Sequence, residues 1–412
     1  MLEGKIFYKG QFIETGIEIE NGRIKRIGKL IKGRKIEGVI LPAGIDVHVH
    51  FRDFREKHKE TIETGSLSAL YGGICLVVDQ PNTKPVIEDE KVYFERMEIA
   101  GKKSYVDYSL NLALTKRNAE RIGEIVKRIR KEFHLPAIGE VFLEHSDEEL
   151  KIDYGVLSKI AGIWRISVHA EDPEFAKIGI PNFLYRPKIA EVFAVKKCLE
   201  ISDFHFCHLS TREAVELAEK TSSSFEVTPH HLLLSIEDYE RLGKFVNVNP
   251  PLREKEEVLW LLKNFSRIKI LASDHAPHTV EEKELGIPGF PGVETMYPIF
   301  VRLATLGIIS FKDLVEKIAI NPARIFGFMD YGEIEIGKFA NFAVFDLKDV
   351  KKIRAEFLHS KCSWTPYEGF EAIFPKKVFI RGEEVLESEL KKGIVISSHF
   401  RSGEQNGGQG EN

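Results

Sequence analysis

Six residues of this sequence have side chains that bind metal ions, and each stands in or directly after a short apolar run. They are His48, His50, Glu140, His169, His208 and Asp274. Imidazole and carboxylate groups brought together in one place are typical ligands of zinc in proteins. A lone histidine beside an apolar run is more often a packing or surface residue, so the set indicates a metal site only if the fold gathers it.

The spacing within the set indicates how the ions would be held. His48 and His50 are two residues apart, so on a strand their side chains share a face, about 6 to 7 Å apart. Six ligands are more than one catalytic zinc requires, and the surplus predicts two Zn²⁺ per subunit, about 3.5 to 4 Å apart. Two ions that share a water lower its pKa and polarise a neighbouring carbonyl, which is the chemistry of amide hydrolysis.

The segments that must position these ligands alternate between short apolar runs and helical stretches. Eight runs predict strands, at residues 39–48, 74–79, 106–112, 138–143, 164–169, 204–208, 225–228 and 268–273. Helices predicted between them include residues 116–133, 188–201, 211–220 and 254–265. This alternation is typical of an α/β protein, and eight such units predict a (β/α)8 TIM barrel. Because the strand ends of a barrel meet at one rim, the six ligands would face a shared bowl.

Short strands precede this region and others follow it. Asn21-Gly22 is a hairpin turn between strand-like residues, and strand-like runs return at 341–345 and 377–380. We expect three parts of the chain. Residues 1–40 and 330–397 would form a small β-sandwich-like domain, residues 41–329 the metal-dependent barrel, and residues 398–412, rich in Gly, Gln, Ser and Asn, a disordered tail.

Composition excludes several classes of partner. Lys and Arg number 59 against 63 Asp and Glu, a formal charge of -4, so neither nucleic acid nor an anionic membrane is expected to bind. No run of 18 apolar residues occurs, and the four cysteines form no CxxC pair. We expect a cytoplasmic enzyme with a small-molecule substrate, and a homodimer by the general frequency of that assembly.

Five segments that contain or flank the proposed ligands form a recognisable set, DVHVHFR at 46–52, KET at 59–61, QPNT at 80–83, VNPPLR at 248–253 and SDHAPH at 273–278. Together they resemble the dihydroorotase family of cyclic amidohydrolases. With NPAR at 321–324, the resemblance spans about three quarters of the chain. It implies the reversible closure of N-carbamoyl-L-aspartate to L-dihydroorotate plus water, a step of pyrimidine (UMP) biosynthesis, by way of a hydroxide that bridges the metals.

The resemblance also implies roles for individual residues. His48, His50, His169 and His208 would bind metal, and Asp274 would bind metal and carry the proton between the hydroxide and the ring nitrogen. The substrate would be held by Arg52, Asn82, Asn249, His278, Pro291 and Gly292. In this set Arg52, Asn82 and His278 would hold its free carboxylate, a task suited to a guanidinium.

Two departures from the family pattern concern the metals and the entrance. Many relatives bridge their ions with a carboxylated lysine on the fourth strand, whereas here the only acid of that strand is Glu140 and no lysine is present. We expect Glu140 to bridge, with a water or Glu144 as the alternative. Phe54-Arg55-Glu56 replaces a frequent Pro-Gly pair, so the entrance loop would differ.

Other readings of the same residues stay open. A hydantoinase or allantoinase shares the barrel and metals but binds a ring that lacks this carboxylate. A catalytically inactive subunit, a partner of aspartate carbamoyltransferase, would be expected to have lost ligands. An active enzyme is also compatible with that association. His230 and His231 follow the seventh predicted strand and are expected to be structural.

Overall fold

Parallel and antiparallel strands occupy separate parts of the computed structural model, which describes residues 1–386 and 392–398. The strands are β1 (Leu2–Tyr8), β2 (Gln11–Glu20), β3 (Arg23–Gly28), β4 (Arg34–Pro42), β5 (Gly44–Val49), β6 (Ile74–Asp79), β7 (Asp107–Leu110), β8 (Ile138–Phe142), β9 (Ile166–His169), β10 (His205–Phe206), β11 (Ser224–Val227), β12 (Ile270–Leu271), β13 (Phe342–Phe345), β14 (Lys351–Lys352), β15 (Glu371–Ala372), β16 (Pro375–Ile380) and β17 (Glu383–Glu384).

Helices separate most of the parallel strands. The α-helices are α1 (Ile62–Tyr71), α2 (Glu90–Lys103), α3 (Ile122–Glu132), α4 (Tyr154–Ile160), α5 (Lys188–Leu199), α6 (Arg212–Ala218), α7 (Pro229–Leu233), α8 (Tyr239–Leu242), α9 (Lys255–Lys263), α10 (Val280–Glu284), α11 (Val293–Thr305), α12 (Phe311–Val315) and α13 (Asn321–Phe326). Short 3-10 turns lie at Phe54–Glu56, Asn182–Leu184, Ile236–Asp238, Gly243–Val246, Phe265–Arg267 and Ala355–Phe357, and a π-helical turn at Glu316–Ile320.

The strands from β5 to β12 are parallel and almost wholly buried, as expected for runs of apolar residues covered on both faces. They form one sheet in the order β5-β6-β7 and another in the order β12-β11-β10-β9-β8. Parallel bridges join the two sheets at both sides, between Leu112 and Ile138 and between Val49 and His275. The predicted α/β class is confirmed, and the carboxyl ends of these strands meet on one side of the molecule.

The helices between the parallel strands follow the sequence pattern. In α3 the buried residues Ile122, Ile125, Val126 and Ile129 recur every three or four positions, so one face packs on the strands. The predicted helix began at residue 116, but the structure has turns there before Ile122. In α6 the hydroxyl of Thr211 accepts the backbone N–H of Ala214 and so caps the first turn.

An antiparallel sheet joins the two ends of the described chain. Its order within residues 1–386 is β17-β16-β13-β4-β1-β2-β3, with β1 and β4 parallel and the other neighbours antiparallel. The turn between β2 and β3 has positive φ at Asn21 and Gly22, 51° and 75°, as a two-residue hairpin requires. A separate apolar cluster, which includes Ile6, Ile17 and Phe342, covers one face of this sheet. Phe7 and Phe345, on the opposite face, belong to the main core.

The first predicted barrel strand is wrong in extent. Residues 39–48 were expected to be one strand, but residues 39–42 belong to β4 and pair with β13, and β5 begins at Gly44. The break falls at Ala43, whose backbone N–H donates to the carbonyl of Asn341. Both halves are apolar and extended, so the sequence pattern does not mark where the chain leaves one sheet for the other.

Two further expectations concern the tail and membranes. Residues 399–412 of the expected tail lie outside the described residues. Among the described helices, none has the length and apolar content needed to cross a bilayer.

Candidate active site

All six predicted metal ligands lie together at the carboxyl ends of the parallel strands. Each has a solvent-exposed fraction of 6% or less. His48 is in β5, Glu140 is in β8 and His169 ends β9, while the other three follow strand ends by a few residues. They are His50 after β5, His208 after β10 and Asp274 after β12.

Glu140 lies between two pairs of histidines. Its Oε1 is 2.9 Å from Nδ1 of His169 and 2.7 Å from Nε2 of His208. Its Oε2 is 3.4 Å from Nε2 of His48 and 3.9 Å from Nε2 of His50. One carboxylate oxygen therefore faces each pair, which is the arrangement that a bridging ligand needs.

Asp274 completes the side of the site that contains His48 and His50. Its Oδ1 is 3.2 Å from Nε2 of His50 and 3.6 Å from Nε2 of His48. The ligand atoms of these three residues are close enough to hold one ion, and so are those of His48, Glu140 and His208. Glu144, the alternative bridge, instead forms an ion pair with Lys151 at 2.8 Å.

The protonation of the rings tests whether a metal fits here. Nδ1 of His48 contacts a carboxylate oxygen of Glu226, Nδ1 of His50 contacts Oδ1 of Asn82 at 2.9 Å, and Nε2 of His169 contacts Oε2 of Glu171 at 2.7 Å. Each of those partners is an acceptor, so each of these nitrogens is the one that carries a proton.

The opposite ring nitrogens of these residues consequently present lone pairs to carboxylates. Acceptors that face one another in a buried site require a cation between them. Nε2 of His48 is buried and has no hydrogen-bond partner. Burial opposes a charge on His169, yet its contacts with Glu140 and Glu171 raise its pKa to about 9, so that in the absence of a metal a proton on Nδ1 takes the place of this cation. The donor set, imidazoles with carboxylates, fits zinc in the place of that cation.

Three charged residues behind the ligands were not singled out from the sequence. Glu226 in β11 contacts Nδ1 of His48 and, through Oε2, lies 3.2 Å from Nε2 of His205. Glu171 contacts His169 and is held by Arg186, whose Nη2 is 2.7 Å away. Burial opposes the charge of both acids, but these basic neighbours lower the pKa of each.

A sequence signal existed for both acids. Glu226 interrupts an otherwise apolar predicted strand, and Glu171 follows a proposed ligand by two residues. A buried acid in either place needs a hydrogen-bonded basic partner. Cys207 is also buried beside His48 and Glu226, and these three form a further group with the geometry to hold an ion.

A cavity of about 620 Å³ opens above the six ligands. Four predicted substrate-binding residues line it, namely Arg52, Asn82, Asn249 and His278. Pro291 and Gly292 are buried and do not line it, and the N–H of Gly292 donates to Nδ1 of His275 at 3.1 Å. The structure therefore brings four of these six residues to the cavity.

The guanidinium of Arg52 has free hydrogen-bond donors that an anion could accept. Its side chain is buried, Nη2 is 3.1 Å from Nε2 of His278, and Nε has no hydrogen-bond partner. A guanidinium only donates, so Nε2 of His278 accepts and its Nδ1–H donates to Glu282 at 3.0 Å. Burial lowers the pKa of His278 to about 3, which keeps this ring neutral. The unused donors of Arg52 match a carboxylate.

The backbone around Arg52 is held by a buried ion pair. Arg52, Asp53 and Phe54 have positive φ values of 49°, 55° and 46°, a conformation that side chains disfavour. Nη1 of Arg96 donates to the carbonyl of Arg52 at 2.9 Å and Nη2 to Asp79 at 2.5 Å. The backbone from which the Arg52 side chain extends is thus held in place.

The histidines that follow the seventh parallel strand lie behind the site. His231 contacts the hydroxyl of Thr228 at 2.8 Å and the carbonyl of Pro250 at 3.1 Å. His230 packs edge-on against Phe290. Neither lines the cavity.

Comparisons with known proteins identify relatives along nearly the whole chain. Residues 37–111 match the model of the Dihydro-orotase-like family and residues 204–385 that of the Amidohydrolase family. The Dihydroorotase of Archaeoglobus fulgidus is 63% identical over 96% of this chain and 99% of its own. The Dihydroorotase of Pyrococcus furiosus is 40% identical over 94% of this chain and 93% of its own.

Solved structures are similar in fold at much lower identity. The L-hydantoinase (dihydropyrimidinase) from Arthrobacter aurescens has a TM-score of 0.86 at 23% identity, over 96% of each chain. The D-hydantoinase (dihydropyrimidinase) from a Thermus species has a TM-score of 0.85 at 22% identity, over 96% of this chain and 98% of its own. Identity this low shows a shared α/β fold and does not decide the substrate.

Proposed function

The chain belongs to the dihydroorotase family, hydrolases that act on cyclic amides, and we propose that its six clustered ligands and Arg52 carry out the reaction. The reaction closes N-carbamoyl-L-aspartate to L-dihydroorotate plus water and reopens the ring. The observation that carries this assignment of residues is Glu140, which places one oxygen against each of two histidine pairs beneath a cavity that contains Arg52. We place the reaction in pyrimidine synthesis.

The proposed architecture is a barrel with a second, smaller domain. We infer that β5 to β12 close into one (β/α)8 barrel over residues 43–329, two residues later than the sequence predicts at its start because residues 41 and 42 belong to β4, and that residues 1–42 and 330–386 form a second, small domain. The bridges at Val49 and Leu112 and the separate apolar cluster of the antiparallel sheet support both inferences. The fold of the hydantoinases supports the barrel.

Two Zn²⁺ are the proposed cofactors. His48, His50, Glu140 and Asp274 would hold one ion, and Glu140, His169 and His208 the other. When bound, such ions supply an activated water near neutral pH and polarise a carbonyl. The acceptors that face one another across Glu140 and Asp274 support this assignment, because they leave a place for cations.

Arg52 and Asp274 would act on the substrate itself. The guanidinium of Arg52 would bind the substrate carboxylate that stays outside the ring, and His278 would hold that guanidinium in place. Asn82 would also contact this carboxylate, and Asn249 would hydrogen-bond the ring amide. During closure the carbamoyl nitrogen loses a proton as it bonds to the carboxylate carbon, and one carboxylate oxygen leaves as water once it has received that proton and a second one from solvent. A carboxylate oxygen of Asp274 accepts that proton and passes it to the leaving oxygen; ring opening reverses the transfer.

The cavity favours dihydroorotate over rings without a carboxylate. A hydantoin or dihydropyrimidine would leave the buried Nε–H of Arg52 without a hydrogen-bond partner, which costs free energy. An inactive subunit is disfavoured because all six ligands are present. We also propose a cytoplasmic homodimer that associates with aspartate carbamoyltransferase, which light scattering of the enzyme alone and of the mixture tests.

Ring opening of L-dihydroorotate, followed by the loss of its ultraviolet absorbance, tests the assignment directly. Metal content is measured on the same samples of wild type, Glu140→Ala and the control Glu144→Ala. We expect about two ions and activity in wild type and in the control, and loss of at least one ion and of the rate in Glu140→Ala. A metal-loaded wild type that leaves dihydroorotate unchanged would refute the substrate assignment. An active, fully loaded Glu140→Ala enzyme would refute the bridge.

A further inference from the structure

Lys283 in α10 is a fully buried lysine that interacts with backbone carbonyls. Its solvent-exposed fraction is 0%, and within the described residues no carboxylate forms an ion pair with it. Its Nζ donates to the carbonyl oxygens of Asn247 at 2.7 Å, Ile287 at 2.8 Å and Gly289 at 3.0 Å. A lysine buried in this way requires a reason, because burial without a charged partner is costly.

The three carbonyl acceptors indicate the protonation state of the Lys283 side chain. Only the ammonium form has three N–H bonds, one for each carbonyl. The rings of Phe290 and Trp364, whose centroids lie 5.2 and 5.3 Å from Nζ, face the same charge. Burial opposes the charge and lowers the pKa of Lys283, so these carbonyls and rings are what keep an ammonium in place.

Two of the three carbonyls belong to the rim segment, defined here as residues 285–289. All five residues of the rim segment line the cavity above the metal ligands. The segment is bound a second time by Asn247, whose carbonyl accepts the N–H of Gly289 at 3.1 Å and whose Nδ2 donates to the carbonyl of Gly286 at 2.9 Å. Lys283 and Asn247 therefore hold it together.

The rest of the rim segment is held by its backbone: the N–H groups of Gly286 and Ile287 donate to carbonyls at the end of α10, at 2.8 and 3.1 Å. Residues 287–289 have no regular secondary structure, and the side chains of Leu285 and Ile287 are 69% and 39% exposed. Apolar side chains that face solvent contribute little to holding a loop, so its position depends on its polar contacts.

The same contacts extend to a proposed substrate-binding residue. Oδ1 of Asn247 accepts the backbone N–H of Asn182 at 3.1 Å, and Nδ2 of Asn182 donates to Oδ1 of Asn249 at 2.8 Å. Asn249 also lines the cavity. Displacement of the Lys283 ammonium would thus disturb two parts of the cavity, the rim segment directly and Asn249 through Asn247.

We propose that Lys283 is a positioning residue that fixes the rim segment before substrate arrives, so that this wall does not close as a lid during turnover. The inference rests on the proposed function only in taking the cavity as the substrate site. Lys283 itself does not line the cavity and touches no metal ligand.

The test compares Lys283→Met with Lys317→Met, a second buried lysine whose Nζ lies 3.3 Å from Glu316 and whose partners are remote from the cavity. Thermolysin, which cuts before large apolar residues, reports on the rim segment at Leu285 and Ile287. We expect Lys283→Met to be cut there about tenfold faster, to show a KM for dihydroorotate raised about tenfold, and to keep its metal content and most of its kcat. Lys317→Met should match wild type in all four.

Chemical rescue separates positioning from general damage. In Lys283→Ala, n-propylammonium should restore both protease resistance and KM, whereas tetramethylammonium, which carries the same charge but no N–H bond, should not. Hydrogen exchange of rim-segment amides in the wild-type holoenzyme needs no variant; we expect it to be slow and unchanged by substrate. Fast exchange that substrate suppresses, or a Lys283→Met enzyme with unchanged cleavage and KM, would overturn the proposal. Cleavage and exchange remain informative even if dihydroorotate is not the substrate.

Discussion

The floor of the cavity, made of the six proposed metal ligands, is built differently from its wall, made of Arg52, His278 and the rim segment. Floor residues stand on or just after strands, and carboxylates such as Glu226 and Glu171 hold their far ring nitrogens. Wall residues stand on loops held by cations, Arg96 behind Arg52 and Lys283 behind the rim segment. The floor presents negative charge and lone pairs inward, and the wall presents the positive charge of Arg52.

The difference between floor and wall predicts that the two regions have different functions. Under the proposed function, the electronegative floor would retain cations and serve bond making and breaking, while the wall would select an anionic substrate. Substitutions in the floor should therefore change kcat or metal affinity, and substitutions in the wall should change KM and the choice of ring.

The largest effect is expected in the floor, at Asp274. Asp274→Asn removes the proposed proton carrier but preserves the shape of the side chain, so kcat should fall about 10² to 10⁴-fold. His48, His50 and Glu140 should still retain an ion, and zinc is therefore measured on the same sample. A variant that keeps zinc and loses less than tenfold in kcat would contradict the role of Asp274.

A smaller and different effect is expected in the wall, at Arg52. Arg52→Met removes charge-assisted hydrogen bonds worth about 1.5 to 3 kcal/mol, so KM for dihydroorotate should rise about 10 to 100-fold. The control is a second substrate, dihydrouracil, which is the same ring without its carboxylate. Its turnover should not fall in Arg52→Met, and an equal loss for both rings would remove the distinction between floor and wall.

Much of the floor could be predicted from the sequence, because strands buried on both faces leave continuous apolar runs. The ends of the runs at 164–169 and 204–208 placed His169 and His208 beside Glu140, where the structure has them. Their roles as ligands stay a prediction. The exception is the run at 39–48, where one apolar stretch serves two sheets and no residue type marks the break.

The contacts behind the floor and within the wall could not be predicted in the same way. His48 and Glu226 are 178 residues apart in the chain, and a pattern of apolar residues carries no information on such a pair. From the sequence alone, Lys283 is indistinguishable from an exposed lysine of a short polar helix. Its burial depends on the carbonyl groups of residues 247, 287 and 289, which only the fold brings to it. Pro291 and Gly292 lie two and three residues after the rim segment and do not line the cavity. A sequence pattern cannot tell which residues of one loop face a cavity to within two or three positions.

The smallest effect on catalysis is expected at Glu226, because this residue holds a ligand of the floor and its substitution should change zinc affinity alone. Glu226→Gln keeps an oxygen that accepts the Nδ1–H of His48 but removes the negative charge that makes the ring a stronger donor to an ion. Loss of such a partner typically weakens metal binding about 10 to 100-fold. Competition with a chromophoric chelator measures the affinity of each ion, and we expect the weaker one to be lost first while KM at saturating zinc stays near that of wild type. The control is Glu294→Gln, which alters another pair of a buried glutamate and a histidine, Glu294 and His359 at 2.8 Å, away from the cavity. Equal zinc affinities in the two variants would mean that Glu226 only packs, and that the floor is held by its strands alone.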